Sequence, residues 1–495
     1  MNRLFLKKPL HTLLAEVHGE NRLRRILGPV ALTSLGVGAI IGTGIFVLTG
    51  VAAHDKAGSA VILSFSVAGL ACIFAALCYA EFASMVPVAG SAYTYAYATL
   101  GEFFAWIIGW DLILEYAVAS ATVAHGWSHY FQDFIGIFGL KVPPNLAKSP
   151  FDFDTATGTF FSTGSIVDFP AIVIACIITV ILVKGIKESA GFNSTMVIIK
   201  LAVVLLVIAL GAMYINPANW EPFAPYGYTG LSFFGHTIWG ETGAGGAPVG
   251  VLAGAAMIFF AYIGFDSIST HAEEAKNPQR DVPIGIITSL VLCTILYILV
   301  ATVITGMVPY NQINIDAPVS NAFQQVGLEW AQFIISLGAI AGITSVLLVM
   351  MLSQPRIFLA MSRDGLLPPN IFGSIHDKFR TPWKSTILTG IFVATLAGLL
   401  PLRILAELVN IGTLFAFVVV CSAVLIMRKT HPEVERPFKA PWFPVIPILG
   451  IITCLVLMFS LPEENWFRLL IWLAAGMIIY FFYGRKNSVL RKINN

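Results

Sequence analysis

About twelve apolar runs, each close to the length that crosses a lipid bilayer, fill most of this 495-residue chain. The hydrocarbon core of a bilayer is about 30 Å thick, so a helix needs roughly 20 apolar residues to span it. Only 11% of the residues are charged, whereas soluble domains carry about 25%. The sequence therefore predicts an all-α integral membrane protein. The predicted spans are 29–50, 59–86, 101–134, 167–184, 192–214, 249–270, 282–308, 321–361, 382–401, 404–428, 444–461 and 465–484.

Positive charges are distributed unevenly between the segments that join these spans. With a cytoplasmic N-terminus, 23 of the 29 Lys and Arg residues fall in cytoplasmic segments. The external segments then hold only Lys56, Lys141, Lys148, Arg403 and Arg468. Because cytoplasmic segments are the ones enriched in Lys and Arg, both termini are predicted to be cytoplasmic. The basic arm at 1–28 shows no cleavable signal peptide and is either a helix on the inner membrane surface or a solvated arm.

Glycine interrupts two of the apolar runs where a membrane helix should continue. The first interruption, at 38–46, contains Gly42 and Gly44, and the second, at 259–266, contains Gly264. An unpaired backbone group costs several kcal/mol in lipid unless it faces a ligand or a protein-lined cavity. Two such breaks in corresponding halves of a chain are the best sequence indication of a transport site. The alternative is that these glycines only permit close helix packing.

The two breaks offer complementary groups to a zwitterion. Amides at 42–44 begin a half-helix whose end is partially positive, so a carboxylate fits there, and the Thr43 hydroxyl adds a donor. An ammonium group suits the carbonyls near Ile40, Phe260, Ala261 and Ile263. These groups match the two charged ends of a free α-amino acid, which the sequence predicts as the substrate.

Lys200 lies within the fifth predicted span, between the apolar stretches 196–199 and 201–210. An ionisable residue at the centre of a membrane helix costs at least about 2.5 kcal/mol and is a functional candidate by default. Because burial disfavours the charged form of a lysine, Lys200 is predicted to exchange a proton and to couple proton movement to transport. The alternative is a lysine whose ammonium group reaches the membrane surface.

Four further polar side chains in the spans are candidates, each with a structural alternative. Asp111 and Glu115 share one face of the third span. Glu115 is predicted to line the substrate path or to take part in proton movement. The structural alternative for both residues is a polar contact between helices. Asp266 is predicted to bond to Thr43 or to freed amides, or else to cap the half-helix that follows it. Tyr297 either hydrogen-bonds near the site or packs in the core.

The sequence predicts neither a metal site nor an enzyme. His125 and His129 are one helical turn apart without an acid partner, so they are interpreted as interfacial polar residues. The six cysteines lie in apolar spans with no paired spacing, which is typical of core packing. No nucleophile accompanied by a base and an acid lies in any span, so no catalytic residue is predicted.

Several motifs resemble those of the amino acid–polyamine–organocation superfamily. They comprise 36–46 in the first span, 81–87 with Gly90, Ser91, Tyr93 and Tyr95 after the second, and 273–283 after the sixth. The stretch 78–129, above all 108–116, is similar to the cationic amino acid transporter branch and especially to its bacterial members. The resemblance implies a multi-pass protein of a bacterial plasma membrane. Eukaryotic members of this branch have fourteen spans, so a small single-span accessory subunit is left open as a partner.

The resemblance also implies the leucine-transporter type of fold, in which two inverted five-helix repeats each begin with a broken span. It divides the chain into a first repeat at 29–214, a second at 249–428 and two peripheral spans at 444–484. A cytoplasmic C-terminus follows at 485–495.

Individual roles follow from the same resemblance. The substrate carboxylate would meet amides at Thr43 and Gly44, Phe260 would close over the substrate as an aromatic gate, and Lys200 matches the lysine of proton-coupled relatives. The predicted substrate contacts are Ile40, Ile41, Thr43, Gly44, Ile45, Glu115, Phe260, Ala261, Ile263 and Met350. The residues predicted to support the site are Gly42, Gly264 and Asp266, and those predicted to couple protons are Lys200, Glu115 and Tyr297.

These observations predict secondary active uptake of L-α-amino acids by alternating access, coupled to protons, with no cofactor and no nucleic acid partner. Val349, Met350 and Met351 in the eighth span favour small neutral, alanine-like substrates, whereas Glu115 leaves cationic substrates open. The alternatives are an exchanger without proton coupling and a non-transporting amino-acid sensor.

Overall fold

Helices make up most of the molecule. The computed structural model describes residues 6–9, 27–86, 88, 90–154, 159–185, 187–243, 246–379 and 381–493. Eight helices in these ranges are long and apolar enough to cross a membrane, and four shorter apolar helices accompany them. The prediction of an all-α membrane protein is confirmed at this level. The count of twelve spans, the two inverted repeats and the unit boundaries stay predictions, and most of the arm at 1–28 lies outside the described residues.

The first predicted span consists of two helices. Helix α1 covers Pro29–Ile40, with proline in its first turn, where no backbone N–H is needed. Helix α2 covers 44–57 and contains two π-helical stretches, Gly44–Leu48 and Ala53–Ala57. The helices that follow are α3 (Val61–Met85), α4 (Ser91–Thr99), α5 (Glu102–Ile137), α6 (Phe169–Lys184) and α7 (Lys187–Gly211).

The sixth predicted span is also in pieces. Helix α8 covers Val251–Ile258, a 3₁₀ helix covers Phe259–Tyr262, and the short α9 covers Ser267–Thr270. The remaining long helices are α10 (Pro278–Met307), α12 (Glu329–Arg363), α14 (Trp383–Leu399), α15 (Leu402–Thr430), α16 (Val445–Phe459) and α17 (Glu463–Ile479). The short helices among and after them are α11 (Pro318–Gln325), α13 (Pro369–Phe372), α18 (Arg485–Asn487) and α19 (Val489–Ile493).

Two antiparallel hairpins mark one side of the molecule. Strands β1 (Phe151–Asp154) and β2 (Thr159–Ser162) follow α5, and strands β3 (Leu231–Phe233) and β4 (His236–Trp239) follow α7. The hydroxyl of Ser232 donates to the carbonyl of Ser460 at 2.9 Å, which ties the second hairpin to the loop between α16 and α17. We call this the hairpin side; the charge distribution predicts that it is external. The opposite side, which carries α18 and α19, is the terminal side.

The broken helices lie in the interior of the bundle. In the most apolar stretch of the interrupted segment 251–270, 94% of the residues are buried, and in that of α5 the buried share is 89%. In the last segment, 463–493, the corresponding share is only 22%. Helix α5 packs along α12 and α15, and α1 packs along α10. Backbone groups freed by a break are therefore shielded from lipid, as an interrupted membrane helix requires.

Glu102 fastens the C-terminal segment to the start of α5. Its fully buried carboxylate accepts hydrogen bonds from Arg491 Nε at 2.6 Å, from the Tyr480 hydroxyl at 2.9 Å and from the Tyr97 hydroxyl at 3.2 Å. The Ser488 hydroxyl donates to the same carboxylate. The Arg491 side chain is only 10% exposed, so this ion pair is largely shielded from solvent.

Replacing Arg491 by leucine is expected to lower the free energy of unfolding by about 3–5 kcal/mol, because the Glu102 carboxylate would stay buried without its cation. Denaturant unfolding of the purified protein in detergent measures the change. Lys492→Leu is the matched control, since Lys492 is the next residue and is exposed. Equal stability of the two variants would contradict a supporting role for this ion pair.

Candidate functional site

The first break separates α1 from α2. Helix α1 ends at Ile40, and helical structure is re-established from Gly44. The amide of Ile45 donates to the carbonyl of Gly42 at 3.2 Å. Among the backbone hydrogen bonds that lie outside the helices of the described residues, none has the amide of Gly42, Thr43 or Gly44 as its donor, as is usual for the first N–H groups of a helix. Three neighbouring N–H groups at the start of a helix form a place where an anion binds well.

The second break follows the 3₁₀ helix after α8. A turn at 263–266 joins that helix to α9, and Gly264 within it has a φ of +121°. This left-handed backbone conformation favours glycine. A Cβ atom on Gly264 would also lie 2.8 Å from the carbonyl oxygen of Ala39, at the end of α1. Glycine is therefore required here both for the turn and for the contact with the first break.

The two breaks pack directly against each other. A Cβ atom on Gly44 would lie 2.4 Å from Cα of Ala261, and one on Gly42 would lie 2.6 Å from Cγ2 of Val346. Both distances are far below van der Waals contact, so the first break approaches the Ala261 backbone of the second break, and the Val346 side chain of α12, only because Gly44 and Gly42 lack side chains. Close packing and helix interruption, which the sequence presents as alternatives, occur together at the same glycines.

A small cavity lies where the two breaks cross. Its volume of about 10 Å³ is close to what one water molecule needs. Its lining residues are Ala39, Ile40, Gly42, Thr43, Gly44, Ala119, Val123, Phe260, Ile263, Val346 and Met350. The Thr43 hydroxyl is buried and has no hydrogen-bond partner in the part of the chain that the structure describes. The lining is polar at Thr43 and at the backbone of the two breaks, and it is apolar elsewhere. Because the cavity is this small, the surrounding helices must separate before an amino acid fits.

Most of the substrate contacts predicted from sequence lie at this cavity. The predicted residues in its lining are Ile40, Gly42, Thr43, Gly44, Phe260, Ile263 and Met350. Ile41, Ile45 and Ala261 are buried in the same two breaks. Ala119, Val123 and Val346 were missed, although helical spacing could have found them. Ala119 lies four residues beyond Glu115, and Val346 lies four before Met350, each on the same helix face as a predicted residue.

Lys200 holds the end of α1. Its ammonium group donates to the carbonyls of Gly38 at 2.6 Å and Ile41 at 2.9 Å, and to the Ser345 hydroxyl at 2.9 Å. The side chain is fully buried, so the ammonium group does not reach the membrane surface. A cation at the carboxyl end of a helix is favourable, and this one joins α1 to both α7 and α12.

Tyr297 of α10 bridges the two breaks. Its hydroxyl oxygen is 2.8 Å from the carbonyl oxygen of Ile40 and 2.8 Å from that of Ala261. These are two of the carbonyls predicted to bind the substrate ammonium. A phenol has one hydrogen to donate, and each carbonyl oxygen has two lone pairs, so both carbonyls keep acceptor capacity beside the tyrosine.

Asp266 is held differently from the sequence prediction. Its carboxylate accepts a hydrogen bond from the Tyr116 hydroxyl of α5 at 2.6 Å, and it makes no capping bond to α9. The predicted bond to Thr43 is wrong within the described residues, because the Thr43 hydroxyl has no partner there. The physical reason is that α5 offers Asp266 the buried phenol of Tyr116, which is distant in sequence and which no sequence pattern reveals.

Glu115 and Asp111 lie on α5 next to the site and not in the lining of its cavity. Both side chains are buried, and none of their four carboxylate oxygens has a hydrogen-bond partner among the described residues. A Cβ atom on Gly412 would lie 2.9 Å from one oxygen of Asp111, so this carboxyl group faces α15. Glu115 lies one turn before Ala119, which does line the cavity.

The two histidines at the outer part of α5 do have acid partners, contrary to the sequence interpretation. His125 Nδ1 lies 3.2 Å from the carboxylate of Asp168, and His129 Nδ1 lies 3.4 Å from that of Asp316. Both acids are distant in sequence, which is why spacing alone does not reveal them. No group of three or more His, Cys, Asp or Glu side chains in the described ranges is placed to hold a metal ion.

Comparisons with known proteins find relatives that match nearly the whole chain. The chain is 48% identical over 490 residues to a protein of Bacillus subtilis (strain 168) named branched-chain amino acid permease, covering 99% of both chains. It is 47% identical over 492 residues to the methylthioribose transporter of the same organism, covering 99% of this chain and 100% of the relative. It is 39% identical over 438 residues to the vacuolar cationic amino acid transporter 4 of Arabidopsis thaliana, covering 88% of this chain and 68% of the relative.

The family described as amino acid permease matches residues 27–483, which is nearly the whole chain. The relatives that share its full length are named as transporters and permeases, so the chain is a transporter and not an enzyme. The interrupted helices, their crossing and these matches together establish that the chain belongs to the amino acid permease family of the amino acid–polyamine–organocation superfamily.

Proposed function

We propose that this permease takes up L-α-amino acids with neutral, apolar side chains across a bacterial plasma membrane, from the hairpin side to the terminal side, by alternating access. One observation carries the proposal: the amides that begin α2 meet backbone carbonyls and an otherwise apolar lining in the interior of the bundle. A zwitterion with an apolar side chain complements that combination of groups.

The substrate is seated across both breaks. Its carboxylate accepts hydrogen bonds from the amides at 42–44 and from the Thr43 hydroxyl. That hydroxyl is buried without a partner in the described residues, and a buried polar group without a hydrogen bond is destabilising. Its ammonium group donates to the carbonyls of Ile40, Ala261 and Ile263, beside the Tyr297 hydroxyl. Phe260, which lies in the lining, closes over the substrate on the hairpin side.

The substrate side chain meets apolar groups only. Ala119 and Val123 of α5 and Val346 and Met350 of α12 form this part of the lining. A cationic side chain buried there without a carboxylate partner would be strongly disfavoured. The name of the branched-chain relative agrees with this preference.

Lys200 couples the transport cycle to protons. Each of its three N–H groups has one acceptor in this conformation, and a neutral amine could supply only two. Loss of the proton therefore removes one bond and the charge from the end of α1. We infer that this frees α1 to move relative to α7 and α12, and that proton binding restores the closed state.

Proteoliposomes with an imposed pH gradient test the proposal. Radiolabelled L-leucine should accumulate in vesicles that are more alkaline inside, without preloaded amino acid, and excess L-isoleucine should compete while L-arginine should not. Uptake that needs preloaded substrate and ignores the gradient would replace the symporter by an exchanger. Saturable binding without flux would instead indicate a sensor.

A second candidate function is transport of methylthioribose, suggested by the name of the 47% identical relative. Competition by methylthioribose and not by isoleucine would favour it.

Substitution of Ala119 by leucine is expected to weaken leucine binding by roughly 5- to 150-fold while affecting alanine less, because overpacking a filled site costs about 1–3 kcal/mol. Equilibrium binding of both labelled amino acids to the purified variant gives the two affinities. Ala119→Gly, which adds no volume, is the control and should bind leucine as the parent does. An unchanged ratio of the two affinities in Ala119→Leu would place the substrate side chain elsewhere.

A further inference from the structure

A second, larger cavity opens on the hairpin side. Its volume is 520 Å³, within the range of 300–1,000 Å³ that is usual for small-molecule sites. Its wall carries both signs of charge, on Lys56 at the end of α2, Arg403 and Glu407 of α15 and Arg468 of α17, while Met257 of α8 adds apolar surface. We call this the outer cavity.

Lys56 is the unusual member of this wall. It is 9% exposed, and its ammonium nitrogen donates to the carbonyl of Pro248 at 3.0 Å. An ammonium group has two further N–H donors, yet no ion pair between described residues includes Lys56. In contrast, Arg403 on the same wall pairs with Glu407 at 3.2 Å. Because a buried cation without a direct ion-pair partner is costly, Lys56 is suited to an anionic group that enters the cavity.

The outer cavity lies close to the central one. Ala256 and Met257 on its wall precede Phe260 by four and three residues, which is about one helical turn, or roughly 5 Å along the axis. Phe260 in turn lines the central cavity. Asn410 of α15 donates from Nδ2 to the carbonyls of Ala256 at 2.9 Å and Met257 at 3.1 Å, so α15 holds α8 at the wall between the two cavities.

We propose that the outer cavity is a second binding site for a zwitterionic α-amino acid, occupied before the substrate passes Phe260. The Lys56 ammonium group binds the carboxylate, and the Glu407 carboxylate, which Arg403 holds in place, accepts from the substrate ammonium. The proposal rests on the proposed function, because it takes the substrate class from the central site. It adds a second bound substrate for each protein and a recognition role for Lys56.

Equilibrium dialysis of the purified full-length protein with radiolabelled L-leucine tests this site. We expect the parent to bind two leucines per chain and Lys56→Met to bind one. Gly44→Ala, which weakens the central site, should also bind one at leucine concentrations below the weakened dissociation constant, and the double variant should bind none there. Lys148→Met is the matched control, since that lysine is external by the charge count and its side chain is 54% exposed; it should bind two.

The outcomes separate the two proposals. One leucine per parent chain, bound equally well by Lys56→Met and more weakly by Gly44→Ala, would overturn the outer site and leave the proposed function intact. No leucine bound by the parent at any concentration would overturn the proposed function itself. The stoichiometry of the parent decides the question even if a variant fails to fold, because a value of one excludes a second site.

Discussion

Proteoliposomes that contain Lys200→Met are expected to lose the amino acid accumulation that a proton gradient drives. A difference of one pH unit is worth about 1.4 kcal/mol, so a transporter that moves one proton with each substrate can sustain up to about tenfold accumulation. We expect the parent to approach that value and the variant to remain near simple equilibration. The measurement is the steady-state content of radiolabelled L-leucine in vesicles whose interior is one pH unit more alkaline than the outside.

The reason lies in the three acceptors that Lys200 satisfies. Methionine has nearly the length of lysine and fills the same buried space, but it donates no hydrogen bond to the carbonyls of Gly38 and Ile41 or to the Ser345 hydroxyl. The carboxyl end of α1 is then no longer held against α7 and α12, and no proton can be taken up or released there.

A matched control separates coupling from damage to the fold. Lys184→Met removes an exposed lysine at the end of α6 and should accumulate leucine as the parent does. Detergent-purified Lys200→Met that still binds leucine would establish that the variant is folded. If such a variant accumulated leucine to the level of the parent at the same gradient, Lys200 would have no part in coupling.

Gly44→Ala is expected to weaken leucine binding to the central site by roughly 5- to 150-fold, the equivalent of the 1–3 kcal/mol that overpacking usually costs. The added Cβ atom would lie 2.4 Å from both Cα and Cβ of Ala261. Since part of that contact is backbone, no side-chain rotation relieves it, and the two breaks must move apart. The amides at 42–44 and the carbonyl of Ala261 would then no longer fit one substrate.

Gly136→Ala is the control for this variant. Gly136 lies near the end of α5, and a Cβ atom there would meet nothing within 4 Å. Equilibrium binding of radiolabelled L-leucine to the two purified variants measures their affinities. If the two variants have equal melting temperatures, a difference in affinity reports on the site and not on the stability of the fold. Equal affinities of Gly44→Ala and Gly136→Ala would mean that close approach of the two breaks is not needed for binding.

The breaks could be predicted from sequence because they depend on a local property. A glycine pair such as Gly42 and Gly44 within an apolar run weakens a helix whatever surrounds it. The burial of Lys200 was predictable for the same reason, since it lies between the apolar stretches 196–199 and 201–210 of one predicted span. What Lys200 binds could not be predicted, because Gly38 and Ser345 are 162 and 145 residues away in the chain.

Ordinary apolar residues were the ones that sequence reasoning missed. Ala119, Val123 and Val346 have the side chains of ordinary core residues, and only their helical spacing from Glu115 and Met350 connects them with the lining of the cavity. The partners of charged residues were hidden for a related reason. Asp266 receives the hydroxyl of Tyr116, 150 residues away, and Glu102 pairs with Arg491, 389 residues away, so only the tertiary fold brings them together.

The most direct test of the central claim is an experimental structure of the permease in complex with L-leucine. The account predicts that the leucine carboxylate lies within hydrogen-bond distance of the amides at 42–44. The ammonium group should lie beside the carbonyls of Ile40 and Ala261, and the side chain against Ala119 and Met350. Density for a single leucine far from both breaks, or for two unbroken helices in their place, would contradict it.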